Sequence, residues 1–527
     1  MTLEVEGLII LGIIITMMLA DFLYVGARVA LLHYAGGGAT WRWWEPVGSA
    51  LSFALASLSR RTLTVLEHLG FWWHASWVLL FLNLLPYSKH FHIITALPNV
   101  FFQPLDPRGK LPDLDNIEGK IEREEQVGVQ KIEQLTWKQA LDLYTCTECG
   151  RCSDNCPAFT TGKKLSPKHF TVALRDHLYD LEDYFLRDRK RDTPKETSEA
   201  VAKGARIVHG DPPEGGYLRN LQPVDLVPDI LHPEVIWACT TCRACEEQCP
   251  VQISFVDKIV EMRRQEVMVK NQFPKDLQSA FRGMETNKNP WKMPAMDRGT
   301  WTTGIEGVSV RFLANHPDAK VVYWVGCAVE YDERAKKVAR AVVRLLHHAG
   351  VDFAVMGEDA ACNGDPARRA GNEYLFQTLA RRNVETLNRY GVDKKTVITA
   401  CPHCFNTLKN EYPSFGGTYD VVHHTDFLNG LVARGILRPT KQVRARVVYH
   451  DSCYLGRYNG LYDSPREVLA VIPGVELVEA PYWNRSKGVC CGAGGAQMWK
   501  EEEPGKERVN KKRTLQLLDT GATEGDR

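Results

Sequence analysis

Two cysteine runs stand out as able to do chemistry: Cys146-Thr-Glu-Cys149-Gly-Arg-Cys152-Ser-Asp-Asn-Cys156-Pro157 and Cys239-Thr-Thr-Cys242-Arg-Ala-Cys245-Glu-Glu-Gln-Cys249-Pro250. Both read C-x2-C-x2-C-x3-C-P, a spacing that places three thiolates around one cubane iron–sulfur cluster and sends the fourth to another. A single run of this kind could equally be a zinc loop; two with identical spacing, each closed by proline, favour two [4Fe–4S] clusters. With the fourth cysteines exchanged, one cluster takes Cys146, Cys149, Cys152 and Cys249, and the other takes Cys239, Cys242, Cys245 and Cys156. The exchange ties residues about ninety positions apart into one unit.

Seven further cysteines follow in a repeat. From residue 320 the pattern becomes strand, turn, helix: an apolar strand at 321–325 ends in Gly326-Cys327, Asp332 caps a helix through His348, Gly350 stops it, and a strand at 396–400 delivers Cys401-Pro-His-Cys404. The scheme recurs with a strand at 446–450, Cys453, a helix after Ser464-Pro465 and a strand at 475–479. Cys327 to Cys362 spans 35 residues and Cys453 to Cys490 spans 37, so Ala361-Cys362-Asn363-Gly364 aligns with Val489-Cys490-Cys491-Gly492. Two homologous α/β halves are expected. The first holds four thiols, Cys327, Cys362, Cys401 and Cys404, enough for a cubane or a tetrahedral zinc site. The second holds Cys453, Cys490 and Cys491, with Gly492, Gly494 and Gly495 allowing the backbone close to a cluster. The 128-residue offset would put its C-x2-C near 529 and 532, past residue 527, so this half reads as shortened, with Asp451 as one group that could complete the site. The adjacent Cys490-Cys491 pair favours an unusual iron–sulfur cluster over zinc.

These sites need elements to hold them. A capping box at Thr136-Trp-Lys-Gln139 predicts a helix leading to Cys146, helical spacing covers 168–191, Asp211-Pro-Pro-Glu-Gly-Gly marks a loop, and 253–269 reads as a closing helix. All 15 cysteines lie after residue 145, and their clustering suits thiolate ligation in a reducing compartment better than disulfides. A formal charge of +1 offers no phosphate-binding field, so nucleic acid is not an expected partner. The first hundred residues hold no cysteine but six of the 13 tryptophans, which points to a lipid environment. The segment Gly7–Leu32 is long and apolar enough to cross a bilayer; a signal peptide is the alternative, but Glu4 and Glu6 stand where basic residues would be needed. A second crossing is expected at 70–86, and 47–58, too short to cross, in the interface. Asp21 and Arg28, two turns apart, share a face and read as a charge pair or as a proton or quinone site. His33, His68, His74, His90 and His92 cluster at the helix ends, either as interfacial histidines or as ligands of a b haem, with His74 the haem candidate and His90 and His92 the proton-handling candidates at a quinone.

The two-cluster core with inserted helices resembles the α-helical ferredoxin domains of fumarate reductases and heterodisulfide reductases. The C-terminal half resembles the cysteine-rich CCG domains of heterodisulfide reductase and of glycolate and lactate oxidase iron–sulfur subunits. On the stretches Pro86-Tyr-Ser-Lys-His-Phe-His-Ile-Ile-Thr-Ala, Gly364-Asp-Pro-Ala-Arg-Arg-Ala-Gly-Asn372 and His450-Asp-Ser-Cys-Tyr-Leu-Gly-Arg-Tyr-Asn459, nearly the whole chain is similar to membrane-bound iron–sulfur oxidoreductases, a group that includes the electron-transfer-flavoprotein:menaquinone oxidoreductases. The resemblance implies a multidomain chain: N-terminal transmembrane helices (1–105, nitrate-reductase γ-like but with fewer helices), a linker (106–134), an α-helical two-cluster ferredoxin domain (135–270), a second linker (271–318), and a duplicated α/β cysteine-rich domain (319–440 and 441–527). It also implies a bacterial inner-membrane protein with its iron–sulfur domains in the cytoplasm. Its electrons would come from an electron-transfer flavoprotein or another flavoprotein donor. They would enter at the cysteine-rich domain, where Cys453, Cys490 and Cys491 are candidate catalytic residues, and leave to menaquinone or another quinone. The motif at 364–372 reads as structural, or its arginines face the donor. A thiol–disulfide enzyme acting through Cys490 and Cys491, or an iron–sulfur component of a lactate or glycolate oxidase, are the alternatives.

Overall fold

The computed structural model describes residues 3–34, 36, 41–87, 89–181, 185 and 224–522, with the side chains of 3–6, 33, 87 and 89 outside the description. The chain falls into two units, Met1–Leu97 and Pro98–Arg527.

In the first unit the apolar N-terminal run, free of proline, forms the helix α1 (Leu3–Tyr34). Its Gly7–Leu32 stretch is about 39 Å long at 1.5 Å per residue, more than the hydrocarbon thickness of a bilayer. Leu8, Leu11, Ile15 and Leu19 line one exposed face, an apolar exterior that lipid accepts. A ten-residue helix α2 (Pro46–Leu55) begins with proline at its first turn, and α3 (Arg60–Leu84) begins at Ser59, whose hydroxyl accepts from Thr62 N at 3.2 Å. The second expected crossing, 70–86, covers the later part of α3 and runs into the short turn Leu85–Tyr87; among the described residues Gly7–Leu32 is the helix that combines bilayer length with high hydropathy, and His74 lowers that of α3. Small residues let the helices close: a Cβ on Gly70 would stand 2.7 Å from Tyr24 N and 2.8 Å from Ala20 O, so α3 rests on the backbone of α1. Arg28 donates to the Tyr24 hydroxyl at 2.6 Å rather than pairing with Asp21.

In the second unit the capping box forms as its sequence predicts: Thr136 Oγ1 accepts from Gln139 N at 3.2 Å and Gln139 Oε1 from Thr136 N at 2.9 Å, opening the helix Trp137–Thr145 that ends at Cys146. The helix expected at 168–191 is Pro167–Asp180; residues beyond it up to 191, apart from 181 and 185, and the loop at 211–216 lie outside the described residues. The closing helix is Val256–Arg264, continued as a wider turn to Val269.

The cysteine-rich part is α/β. Strands β1 (Val321–Tyr323), β2 (Phe353–Val355), β3 (Thr396–Thr399) and β4 (Asp420–His423) make a parallel sheet in the order β2-β1-β3-β4, with Val322 opposite Ala354 and Val397. Such a sheet needs cover on its faces. Helix Glu333–His348, capped by Asp332 on Ala335 N at 2.8 Å, supplies Val342, Val343 and Leu346 to a core with Tyr323, Val355 and Ile398. The second half keeps the strand–helix–strand scheme with a parallel pair, β5 (Ala445–Val448) and β6 (Val475–Val478), around helix Ser464–Ala470.

Buried ion pairs join this part to the helical one. Arg264 meets Glu373 at 2.8 Å, Arg368 meets Glu411 at 3.3 Å, Glu373 at 3.5 Å and Asp113 at 3.1 Å, and Arg369 meets Glu411 at 2.7 Å and Asp365 at 3.2 Å. The arginines of the 364–372 motif are therefore fully buried and do not face a donor. Gly371 of that motif has φ +91°, and a Cβ there would sit 2.4 Å from the Arg263 carbonyl carbon. Gly371→Ala is expected to lower stability by more than about 1 kcal/mol, since alanine neither adopts that φ easily nor fits the gap; a thermal melt of the purified chain checks it.

Candidate iron–sulfur sites

Each run's fourth cysteine lies beside the first three of the other run. Cys146, Cys149, Cys152 and Cys249 surround one small cavity with Gly150, and Cys156, Cys239, Cys242 and Cys245 surround another, with Phe255 lining both. Helix starts bring the thiols in: Cys152 opens the turn Arg151–Asp154 after Gly150 at φ +82°, and Cys156 is the residue before Pro157–Thr160. Cys149 is exposed, whereas Cys146, Cys152 and Cys156 are buried. Burial pushes the Cys152 thiol up to about 12, with Cys146 and Cys249 adding to it, and burial pushes Cys239 up to about 11 against the pull of Arg263. Thiols packed this way release their protons when a metal takes the charge.

The remaining thiols lie beyond the carboxyl ends of the strands, where parallel α/β sheets place their sites. Cys327 follows β1, Cys362 follows β2, and Cys401 and Cys404 follow β3; these four act on one another electrostatically, and a Cβ on Gly326, at φ +83°, would stand 3.1 Å from Cys404 Sγ. The Cys327 thiol is held down to about 7 by its hydrogen bond from Cys362, assisted by Arg298, and Cys401 to about 6 by Cys404 and by His403. Arg298 is buried, and its Nη2 lies 3.6 Å from Cys327 Sγ while its Nε has no partner. In the second half Cys453 and Cys490 are in hydrogen-bonding reach of each other, and Cys490 also reaches Cys491 and Cys242. Cys491 is half-buried at an open cavity lined by Gln497, Met498, Trp499, Lys500 and Arg508, its thiol lowered to about 6 by Cys490. The glycines after it do not wrap these thiols alone. A Cβ on Gly494 or Gly495 would stand 2.5 Å from Thr240 O or 2.4 Å from Cys239 O, so this segment lies on the loop of the second cysteine run.

The donor sets suit iron–sulfur groups. In the two cysteine runs four thiols ring a space, and at the Cys327 site buried Arg298 adds a cation with an unpartnered Nε, a charge that an anionic group held by the thiols would neutralise. Asp451 is not free to complete the second-half site, because Arg466 grips both its oxygens at 2.7 and 2.8 Å and Arg485 N donates to it at 2.7 Å.

Residues that sequence reasoning passed over connect these sites. His403, hydrogen-bonded through Nδ1 to Asp365 at 2.7 Å, stacks on Tyr454 with centroids 4.0 Å apart, and Tyr454 stacks on Tyr458 at 4.4 Å. Tyr454 also lies 3.2 Å from Thr241 Oγ1, and Tyr458 donates to Thr241 O. Burial works against both charges of the Asp365–His403 pair, but their attraction more than offsets it: the carboxyl stays below, and the imidazole above, its ordinary range. The aromatic residues at i and i+4 directly after Cys453 were the available signal. In the first unit His74 Nδ1 lies 3.3 Å from Met17 O, and the rings of His90 and His92 have centroids 6.0 Å apart; the side chain of His33 is outside the description.

Comparison with known proteins agrees with these sites. A 4Fe-4S dicluster domain model matches residues 142–253, and a cysteine-rich domain (CCG) model matches residues 321–409 and 447–524. An EtfAB:quinone oxidoreductase of Syntrophomonas wolfei is 39% identical over 97% of this chain and 70% of its own length. A probable membrane-anchored ferredoxin of Chromohalobacter salexigens is 35% identical over 79% of this chain and 58% of that protein. One component of the dihydromethanophenazine:CoB–CoM heterodisulfide reductase of Methanosarcina barkeri is 32% identical over 68% of this chain and 80% of that protein. No solved structure matches the chain.

The exchanged cysteines make a sharp test. Cys249→Ser is expected to remove the cluster signal of the site that contains Cys146 while leaving the signal of the site that contains Cys239, and Cys156→Ser to do the reverse; iron quantification with low-temperature EPR on the two variants decides it.

Proposed function

We propose that the chain, which belongs to the heterodisulfide-reductase-like family of iron–sulfur oxidoreductases with a CCG domain, carries electrons from a soluble flavoprotein to a membrane quinone. One observation carries this reading: Cys490, in the second half of the cysteine-rich part, reaches Cys242 of the second cysteine run, so the thiol sites adjoin instead of standing as isolated metal stores. Iron–sulfur groups, when bound, supply one-electron storage at these sites. The protein's own part is to seat them. Cys146, Cys149, Cys152 and Cys249 would hold one and Cys239, Cys242, Cys245 and Cys156 another. Cys327, Cys362, Cys401 and Cys404 would hold a third, and Cys453, Cys490 and Cys491 belong to a further site.

Burial of most of these sulfurs keeps water from the sites, while exposed Cys149 and half-buried Cys491 mark places where electrons can enter or leave. The apolar helix α1 supports membrane association, and the relatives' names supply the expectation of an electron-transfer flavoprotein as donor and a quinone as acceptor. His90 and His92 are the residues proposed to exchange protons with the quinone, whose two-electron reduction takes up two protons. With its proton on Nδ1, His74 donates to Met17 O and keeps Nε2 for a haem b iron or a quinone oxygen. The iron–sulfur part is placed in the cytoplasm of a bacterium, where its thiols stay reduced.

The cavity at Cys491 favours a second reading, thiol–disulfide exchange, in which the Cys491 thiolate breaks the S–S bond of a low-molecular-weight disulfide, keeps one half as a mixed disulfide, expels the other as a thiolate, and is freed by an added thiol. The two separate in one experiment on the full chain in liposomes containing a menaquinone analogue. Reduced electron-transfer flavoprotein is expected to bleach the visible iron–sulfur absorption, which then recovers as the quinone is reduced. No bleaching by the flavoprotein, together with disulfide consumption in its absence when a low-molecular-weight thiol is supplied as reductant, would replace the first reading with the second.

A further inference from the structure

Several buried arginines lie against the thiol sites, among them Arg175, Arg263, Arg298 and Arg513, and one more, Arg457, serves two sites at once. Arg457 lies one turn after Cys453 and is 4% exposed. Its Nε donates to the carbonyl of Cys242 at 2.7 Å, and its Nη1 to the carbonyls of Gly488 at 2.7 Å and Ser486 at 3.1 Å; Nη2 has no partner. The largest charge effects on it come from Cys242, Cys453, Cys490 and Tyr462, the buried Arg513 guanidinium acts on it as a second cation near Cys490 and Cys491, and no carboxylate forms an ion pair with it among the described residues. Arg298 and Arg263 stand in similar positions at Cys327 and Cys239, but each has a carboxylate within electrostatic reach, Glu330 and Glu503 respectively.

A guanidinium stays protonated throughout the range in which proteins fold, and a buried charge without a counter-charge is costly. Elsewhere in this unit the requirement is met by carboxylates: Glu411 for Arg368 and Arg369, Glu373 for Arg264. At Arg457 the acidic groups that act on it most strongly are sulfurs, two from the second-half site and one from the second cysteine run, followed by the Tyr462 hydroxyl; Glu246, Glu247 and Asp257 line the same cavity without forming an ion pair with it. The three carbonyl bonds fix the cation between Cys242 on one side and the Gly488 turn that precedes Cys490 on the other.

We propose that Arg457 is a positioning residue, the shared counter-charge of the Cys453/Cys490 site and the Cys242 site, which raises the reduction potential of an iron–sulfur group at either one. Added negative charge at these sites is stabilised by the nearby fixed cation, and net charge is one of the quantities that sets such potentials. The electron comes from the donor and resides on the iron–sulfur group; no bond to Arg457 forms or breaks, and the guanidinium keeps its proton. The inference rests on these thiols holding iron–sulfur groups, and on neither the flavoprotein nor the quinone.

The test is an EPR-monitored redox titration of the full chain in detergent with a chemical reductant, so it stands or falls independently of the flavoprotein and quinone assay. Arg457→Gln removes the charge and keeps a donor; Arg457→Lys keeps the charge and loses most of the carbonyl bonds. In Arg457→Gln the signals of the two adjoining sites are expected to move to more negative potentials, lowering the reduced-to-oxidised ratio at a fixed poise by about tenfold. The Cys146/Cys249 site and the Cys327 site stay where they are. Arg457→Lys keeps all four near wild type. Unmoved midpoints in Arg457→Gln overturn the proposal, as does an equal shift of every site or a shift in Arg457→Lys as large as in Arg457→Gln. Loss of iron from the two sites in both variants assigns Arg457 to holding the loops together, and overturns it too.

Discussion

Sulfurs from distant parts of the chain must be held around common points, and the exchange of Cys156 and Cys249 between the two cysteine runs is what imposes this. Neither run can close its own site. Each lends its last thiol to the other, so the helix Pro167–Asp180, the closing helix Val256–Arg264 and the loops between them share one small core in which Phe255 touches both cavities. The cysteine-rich halves are then built onto that core. Gly494 and Gly495 lie on Cys239 and Thr240, and Gly371 lies on Arg263, contacts in which a single added carbon would meet backbone.

Charge organises the same interface. Arg264, Arg368 and Arg369 are buried with Glu373, Glu411 and Asp365, and together they hold the segment near Asp113, the closing helix and the first α/β half in register. Removing one member of such a network leaves a buried charge unmatched, which is why these groups fix the geometry more than they add to stability. Beside the thiols the pattern is mixed: Arg243 and Arg175 pair with carboxylates, whereas Arg457 bonds to backbone carbonyls and Arg298 reaches a backbone carbonyl and the Cys327 sulfur.

The architecture that results is a set of adjoining thiol sites in one body. The parallel sheet delivers Cys327, Cys362 and Cys401 at its carboxyl edge, the smaller β5–β6 pair delivers Cys453, and Cys490 connects the second half to the ferredoxin-type core. The stacked rings of His403, Tyr454 and Tyr458 fill the space between the first-half site and Thr241, excluding water where single electrons would have to cross. The first unit is of a different kind, an apolar helix packing in which α3 lies on the backbone of α1 at Gly70.

The sequence by itself determined the parts that depend on local spacing. Two C-x2-C-x2-C-x3-C-P runs define their own ligation pattern, the Thr136/Gln139 box and the Asp332 cap place helix starts, period and breaker residues mark β1, β3, β5 and β6, and the repeat of cysteine intervals shows the duplication. These features were legible because backbone geometry acts over a few residues. Tertiary structure decided the rest. It turned the arginines of the 364–372 motif inward and engaged Asp451 with Arg466 and Arg485. It also brought Cys490 to Cys242 and set Arg457 beside both. Those residues are about 250 and 215 positions apart from Cys242 in the chain, and no periodicity or spacing rule reaches that far. Such contacts follow only from packing the whole chain around sulfurs that must be buried and charges that must be matched.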